Sequence, residues 1–149
     1  MITAFTGPTD LSPKQRLWCA HRIVETAPLG VWRSGCAYGL DTLAAYLAIA
    51  IEVELELYVP FARHNGTLVR ELAQNAHVFR CDGGPDDATS YRIRNKAMVK
   101  GIDRLLAFVR APGFYRSGEW MTINLARANS LRNMDNRIII RKIPKEGEL

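Results

Sequence analysis

The stretch that decides the fold is "GVWRSGCAYGLDTLAAYLAIAI", residues 30–51. A short β-prone run, "VWRS", leads into a turn with glycines at positions 35 and 39, and a nearly all-apolar run begins after Asp41. A helix that is apolar on almost every side is typical of one that packs closely against a sheet. The stretch therefore predicts a strand, a glycine turn and a buried helix.

The same unit recurs along the chain. "ITAFTG" predicts a strand, and the helix "SPKQRLWCAHRIVETA" follows it, with Ser12 as N-cap and Pro13 at the first helical position. Four more strands are predicted at "ELELYVP", "HVFRC", "DRLLAFV" and "NRIIIRKI", with helices between them and a loop at "DGGPDDATS", residues 82–90. This alternation predicts a single Rossmann-like α/β domain over residues 1–149. Its sheet is mostly parallel, of about six strands, with helices on both faces.

Composition narrows the class of partner. Lys and Arg number 20 against 15 Asp and Glu, a formal charge of +5, and this excess favours anionic partners. The three cysteines are widely spaced without a CxxC pair, and the three histidines are isolated, so neither a disulfide framework nor a metal site is expected. No segment has the pattern of a signal peptide or a membrane span, which predicts a cytoplasmic protein without a membrane partner.

Three glycine loops follow predicted strands: "FTGPTD", "RSGCAYGLDT" and "RSGEWMT". In open α/β sheets, ligands lie beyond the carboxyl ends of the strands, where helix N-termini favour anions. None of the loops is a Walker P-loop or a strict GxGxxG. Taken singly, Gly35 and Gly39 indicate only backbone geometry, and Asp41 either caps its helix or binds a ribose hydroxyl.

Three segments, "SGCAYGLDT", "RIRNKAMVKGIDRLLAF" and "SGEWMTINLAR", together resemble the SLOG superfamily of Rossmann-like proteins, from "FTGP" to about residue 130. This superfamily includes DprA-like DNA-processing proteins and LOG phosphoribohydrolases. The DNA-processing proteins carry the patterns SGxARGIDT, RN with an aspartate nine residues after the arginine, and SGSLxT, and Tyr38 stands where the first pattern has an arginine. The exchange loses a cation for phosphate but offers a ring on which a base can stack. The matching residues are Ser34, Gly35, Ala37, Gly39, Asp41, Thr42, Arg94, Asn95, Asp103, Ser117, Gly118 and Thr122.

The LOG enzymes are similar through a helix with the motif RKAxM, whose residue types recur at Arg94, Lys96, Ala97 and Met98, with Asp103 in step. Their PGGxGTxxE loop fits poorly, because Glu119 and Met121 replace glycines and Leu125 replaces the glutamate. This resemblance implies that Arg94 contacts the substrate and that an N-glycosidic or phosphoribosyl bond is cleaved. The carboxylates available for that reaction are Glu119 and Asp41.

Several of these residues could have a structural role in place of a functional one. Arg94 either clamps a phosphate or lies on a solvated helix face with Arg92, Lys96 and Lys100. Asp103 is expected to close a loop, and Glu119 by default stabilises the start of its helix. The aromatic residues assigned to the core are Trp18, Trp32, Phe79 and Phe108, and Trp120 is assigned to packing or to base stacking.

Two functions are thus expected at one site. The first is binding of a nucleotide or nucleotide-derived ligand, with bond cleavage if the protein is an enzyme. The alternative is a single-stranded nucleic-acid binding module that uses Arg92, Arg94, Lys96 and Lys100 along the rim. Neither requires a cofactor, and a homo-oligomer is one assembly to test. The candidate ligand-binding residues are Thr6, Gly7, Ser34, Gly35, Tyr38, Gly39, Asp41, Arg94, Asn95, Ser117, Gly118, Glu119 and Thr122.

Overall fold

The computed structural model describes residues 1–27, 29–61, 66–81, 85–110, 118–128 and 137–149. The strands are β1 Ile2–Thr6, β2 Val31–Ser34, β3 Glu54–Val59, β4 His77–Arg80, β5 Arg104–Val109 and β6 Ile138–Lys142. The α-helices are α1 Pro13–Thr26, α2 Leu40–Ala50, α3 Gly66–Ala73, α4 Asp87–Val99 and α5 Gly118–Ala128, and a short 3-10 helix spans Glu146–Glu148. None of the helices among these residues is long and apolar enough to cross a membrane.

The six strands form one sheet in the order β4-β3-β2-β1-β5-β6, and every pairing is parallel. The Rossmann-like α/β fold predicted from the alternation of strands and helices is confirmed. Because β2, β3 and β4 lie on one side of β1 and β5 and β6 on the other, the strand order reverses between β1 and β5. A crevice at such a reversal is where doubly wound sheets bind ligands.

Because crossovers between parallel strands are right-handed, the helices before the reversal and those after it pack on opposite faces of the sheet. One core cluster joins the sheet to α1, α2 and α3, and it includes the fully buried Phe5, Trp32 and Phe108. The second cluster joins the other face to α4 and α5 and includes Met98 and Trp120. Trp120 is therefore a core residue, one of the two roles expected for it.

Local signals explain where several elements begin and end. The Ser12 hydroxyl caps α1 by accepting a hydrogen bond from the N–H of Gln15, and the Gln15 side-chain oxygen accepts one from the N–H of Ser12. Pro13 follows at the first helical position. The Asp103 carboxylate accepts a hydrogen bond of 2.7 Å from the N–H of Ile2 and so joins the starts of β1 and β5. The prediction for Ser12 and Pro13 is confirmed, whereas the Asp103 contact joins two strands and does not close a loop.

Two other expectations were wrong. Helix α4 begins at Asp87, inside the segment predicted as a loop, because the Asp86 side chain caps it by accepting a 2.7 Å hydrogen bond from the N–H of Thr89. Phe79 is 44% exposed rather than buried, since β4 is the outermost strand. Its ring stacks on Tyr58 with 5.0 Å between centroids.

Candidate functional site

A cleft of about 660 Å³ opens at the carboxyl ends of β1 and β5, where the strand order reverses. Segments from five parts of the chain line it: the loop after β1, the turn after β2, helix α4, the end of β5 and the start of α5. Pockets of this size, with a few convergent polar groups, are typical of ligand sites. The lining residues predicted from the sequence are Thr6, Gly7, Tyr38, Asp41, Arg94, Asn95, Gly118, Glu119 and Thr122.

Three of the remaining predicted residues, Ser34, Gly35 and Gly39, do not line the cleft but hold its walls. The Ser34 hydroxyl donates a 2.7 Å hydrogen bond to the carbonyl of Asp41 and accepts one from the N–H of Cys36, which fixes the turn onto α2. Gly39 has a φ of +84° and directly precedes α2, so its left-handed backbone requires glycine. Gly35 is buried behind the turn. Ser117 lies outside the described residues.

The β2–α2 turn also packs against the loop after β1. The N–H of Leu40 donates to the carbonyl of Pro8 at 3.1 Å. A Cβ at Gly7 would lie 2.7 Å from the Cβ of Leu40, and one at Gly39 would lie 2.7 Å from the carbonyl carbon of Thr9. The glycines therefore allow two loops to approach closely and form one wall of the cleft.

Arg94 is the most buried cation of the site, with 5% of its surface exposed. Its Nη1 donates to the carbonyls of Gly35 and, at 3.4 Å, Tyr58, and its Nε donates to Asn95 Oδ1 at 2.7 Å. The guanidinium also lies over the ring of Tyr91, 5.6 Å from its centroid. Arg94 is thus not on a solvated face, and most of its hydrogen-bonding capacity serves the protein itself.

Asp41 lies in the first turn of α2 and is buried, with 7% of its surface exposed. Its carboxylate accepts a 3.4 Å hydrogen bond from the N–H of Ala37, which precedes the helix, so Asp41 is not the N-cap considered from the sequence. Burial raises the pKa of Asp41 to about 6, although the Arg94 guanidinium and backbone hydrogen bonds oppose that rise. The negative charge of Glu119, half-buried in the cleft lining, raises the pKa of Asp41 further.

Tyr38 stands out because it lines the cleft and is 60% exposed. It therefore presents a large aromatic surface at the rim. Arg92, Lys96 and Lys100, which were expected along this rim, are exposed but do not line the cleft. Thr122 is buried, and its hydroxyl donates to the carbonyl of Gly118 at 3.1 Å within α5.

The sequence did not lead us to two charged residues of the cleft. Arg110 directly follows β5, and Asp10 lies in the loop after β1; both line the cleft. Their side chains form an ion pair of 2.9 Å. The position of Arg110 just past the carboxyl end of the most apolar strand was a signal that could have identified it. Among the described residues, no group of side chains suited to a metal ion is present.

No family model and no curated protein sequence matches the chain. Two solved structures do. DNA processing protein A (DprA) from Helicobacter pylori has a TM-score of 0.65 at 18% identity, covering 94% of this chain and 64% of that one, and its study describes a single-stranded DNA binding mode. DprA from Streptococcus pneumoniae has a TM-score of 0.65 at 18% identity, covering 95% of this chain and 58% of that one. This chain thus spans less than two thirds of either neighbour, and the similarity confirms the DprA-like Rossmann fold implied by the motifs.

Proposed function

We propose that the cleft binds single-stranded nucleic acid, with a base stacked on Tyr38. The observation that carries the proposal is the 60% exposed ring of Tyr38 at the rim of a cleft that also contains guanidinium groups. Stacking on an aromatic side chain contributes about 1–3 kcal/mol per base and tolerates any base, because every base has a π-face. A single strand has the unpaired bases that such a ring requires.

The charge and the fold support this function over the others expected. A net charge of +5 favours anionic partners, and the cleft lies at the strand reversal where this class of sheet binds ligands. The DprA neighbour from Helicobacter pylori binds single-stranded DNA and shares the fold over 94% of this chain.

The test is fluorescence anisotropy with a labelled oligothymidylate about 12 nucleotides long, a length within the range of single-strand sites. We expect binding that weakens steeply as salt rises from about 50 to 200 mM, because phosphate contacts release counterions. Tyr38→Ala should weaken binding about tenfold, which corresponds to about 1.4 kcal/mol. Tyr46→Ala, at a 40% exposed tyrosine of α2 outside the cleft, is the matched control and should bind like the wild type. Absence of oligonucleotide binding would refute the proposal.

A second candidate is binding of a mononucleotide, with cleavage of its N-glycosidic bond. It is favoured by one observation, the buried carboxyl group of Asp41 in the cleft. Burial raises its pKa to about 6, and a carboxyl group that titrates near neutral pH is suited to act as a general acid. Mononucleotide binding should respond only weakly to salt. Release of free base from a nucleoside monophosphate by the wild type, and its loss in Asp41→Asn, would favour this candidate.

A further inference from the structure

The described cleft residues carry two guanidinium groups, Arg94 and Arg110, and they differ in availability. Arg94 is 5% exposed and is engaged by two carbonyls, Asn95 and the ring of Tyr91. The side chain of Arg110 is 43% exposed. A phosphate entering the cleft from solvent therefore meets Arg110 with much less rearrangement of the protein.

Among the described residues, Asp10, from the loop on the other side of the strand reversal, is the one that accepts hydrogen bonds from the Arg110 guanidinium. Arg110 Nη1 lies 2.9 Å from Asp10 Oδ1, and Nη2 donates to the backbone carbonyl of Asp10. The Asp10 side chain is 81% exposed. Ion pairs this exposed contribute little to stability, so a phosphate can replace the carboxylate at low cost and accept the charge-assisted hydrogen bond from Nη1.

The charges of the cleft show why this exchange matters. The described lining residues include three carboxylates, Asp10, Asp41 and Glu119, against the two guanidinium groups. Asp10 is the carboxylate paired directly with the exposed cation, and it occupies the position that a phosphate would take. Its backbone carbonyl would still hold Arg110 in place after the carboxylate has been displaced or removed.

We propose that Arg110 is the phosphate-binding residue of the cleft and that the Asp10 carboxylate competes with nucleic-acid phosphate for it. The inference rests on the proposed single-strand function. Under this proposal, Asp10 lowers the affinity for nucleic acid, although its partner Arg110 raises that affinity. A purely structural ion pair would not show this opposition, because loss of either partner would then have the same effect.

The test uses the labelled oligothymidylate with Arg110→Gln and Asp10→Asn. We expect Arg110→Gln to weaken binding about tenfold, in the range of one charge-assisted hydrogen-bonded contact, and Asp10→Asn to tighten it about threefold. In the Arg110→Gln background, Asp10→Asn should tighten binding less, because the carboxylate acts through the guanidinium. The α1 pair Arg22–Glu25, whose side chains are 38% and 53% exposed and which lies outside the cleft, supplies matched controls. Arg22→Gln and Glu25→Gln make the same changes in net charge and should shift affinity much less.

The outcomes are distinct. The role of Arg110 would be overturned if the wild type binds and Arg110→Gln binds with the same affinity. It would also be overturned if Asp10→Asn binds more weakly than the wild type. Either result would leave the single-strand function intact. Shifts in the α1 variants equal to those in the cleft variants would also overturn the role of Arg110, because they would reflect net charge alone. No binding by the wild type would refute the function, and the role of Arg110 with it. Melting temperatures of all variants, measured alongside, confirm that each is folded.

Discussion

The guanidinium of Arg94 donates a hydrogen bond to the carbonyl of Gly35, and this buried contact joins helix α4 to the turn after β2. The two residues are 59 positions apart in the chain. Both belong to the motifs that resemble the DNA-processing proteins, and in this protein they pack directly against each other. The absence of a side chain at Gly35 is what allows the guanidinium to approach the backbone so closely.

Gly35→Ala should destabilise the protein by about 1–3 kcal/mol, the usual cost of overpacking a filled site. The new Cβ would lie 2.5 Å from Arg94 Nη1 and 2.9 Å from Asp41 Oδ2. Urea unfolding measures the change. Gly66→Ala is the control, because a Cβ there meets nothing within 4 Å and alanine favours the helix. Equal stability of Gly35→Ala and the wild type would show that the turn and Arg94 are not in close contact.

Arg94→Gln should lower the free energy of unfolding by about 3 kcal/mol, because two buried carbonyls lose their donor and Asp41 loses its neighbouring cation. Arg92→Gln, at an exposed position of the same helix, should change it by less than about 0.5 kcal/mol. Chemical denaturation of the two variants makes the comparison. If both changes were small, Arg94 would have to be reassigned from a structural residue to a solvated one.

Asp41 makes the stability of the fold depend on pH. Since its pKa is about 6 in the folded protein and 3.8 in the reference state, the folded protein binds more protons across this interval. The contribution of Asp41 to stability therefore decreases as pH rises from about 4 to 6, by on the order of 3 kcal/mol. Asp41→Asn cannot titrate, so its stability relative to the wild type should increase across this window. Urea unfolding at several pH values tests this, and a difference that does not vary with pH would contradict the account.

Tyr38→Arg restores the cation that the DNA-processing pattern has at this turn. One additional phosphate contact should steepen the slope of log affinity against log salt by about 0.7, the value for single strands. Affinity should be preserved, because a guanidinium can also stack on a base. Tyr46→Arg adds the same charge outside the cleft and should leave the slope nearly unchanged. Equal slopes for the two variants would indicate that Tyr38 does not contact the strand.

Local signals in the sequence were enough to predict the elements of the fold. The capping residues Ser12 and Pro13 act within one turn of their own helix, and the alternation of strands and helices determines the fold class. The start of α4 was misplaced because Gly83, Gly84 and Pro85 are typical of a loop, whereas Asp86 alone provides the cap. The exposure of Phe79 depends on β4 being an edge strand, which is a matter of strand order and not of local sequence.

The candidate site was predicted less completely than the fold, for a related reason. Conformational requirements such as that of Gly39 can be inferred from a motif, but the direction of a long side chain depends on tertiary packing. Arg94 was expected either to clamp a phosphate or to lie on a solvated helix face. It lines the cleft, but its guanidinium is also engaged by the β2–α2 turn and Tyr58, which no local pattern predicts. The pairing of Arg110 with Asp10 spans 100 positions, so no local pattern could have revealed it.

Binding of a single strand in the cleft is the central claim, and chemical-shift mapping by NMR tests it most directly in a protein of 16.7 kDa. The oligothymidylate is titrated into isotope-labelled protein at low salt. We predict that the shifted amides concentrate in the cleft, with the largest changes at Tyr38 and Arg110. Shifts concentrated instead in the groove between α3 and β4, which Arg70 and Arg80 line, or no shifts at any oligonucleotide concentration, would contradict the account.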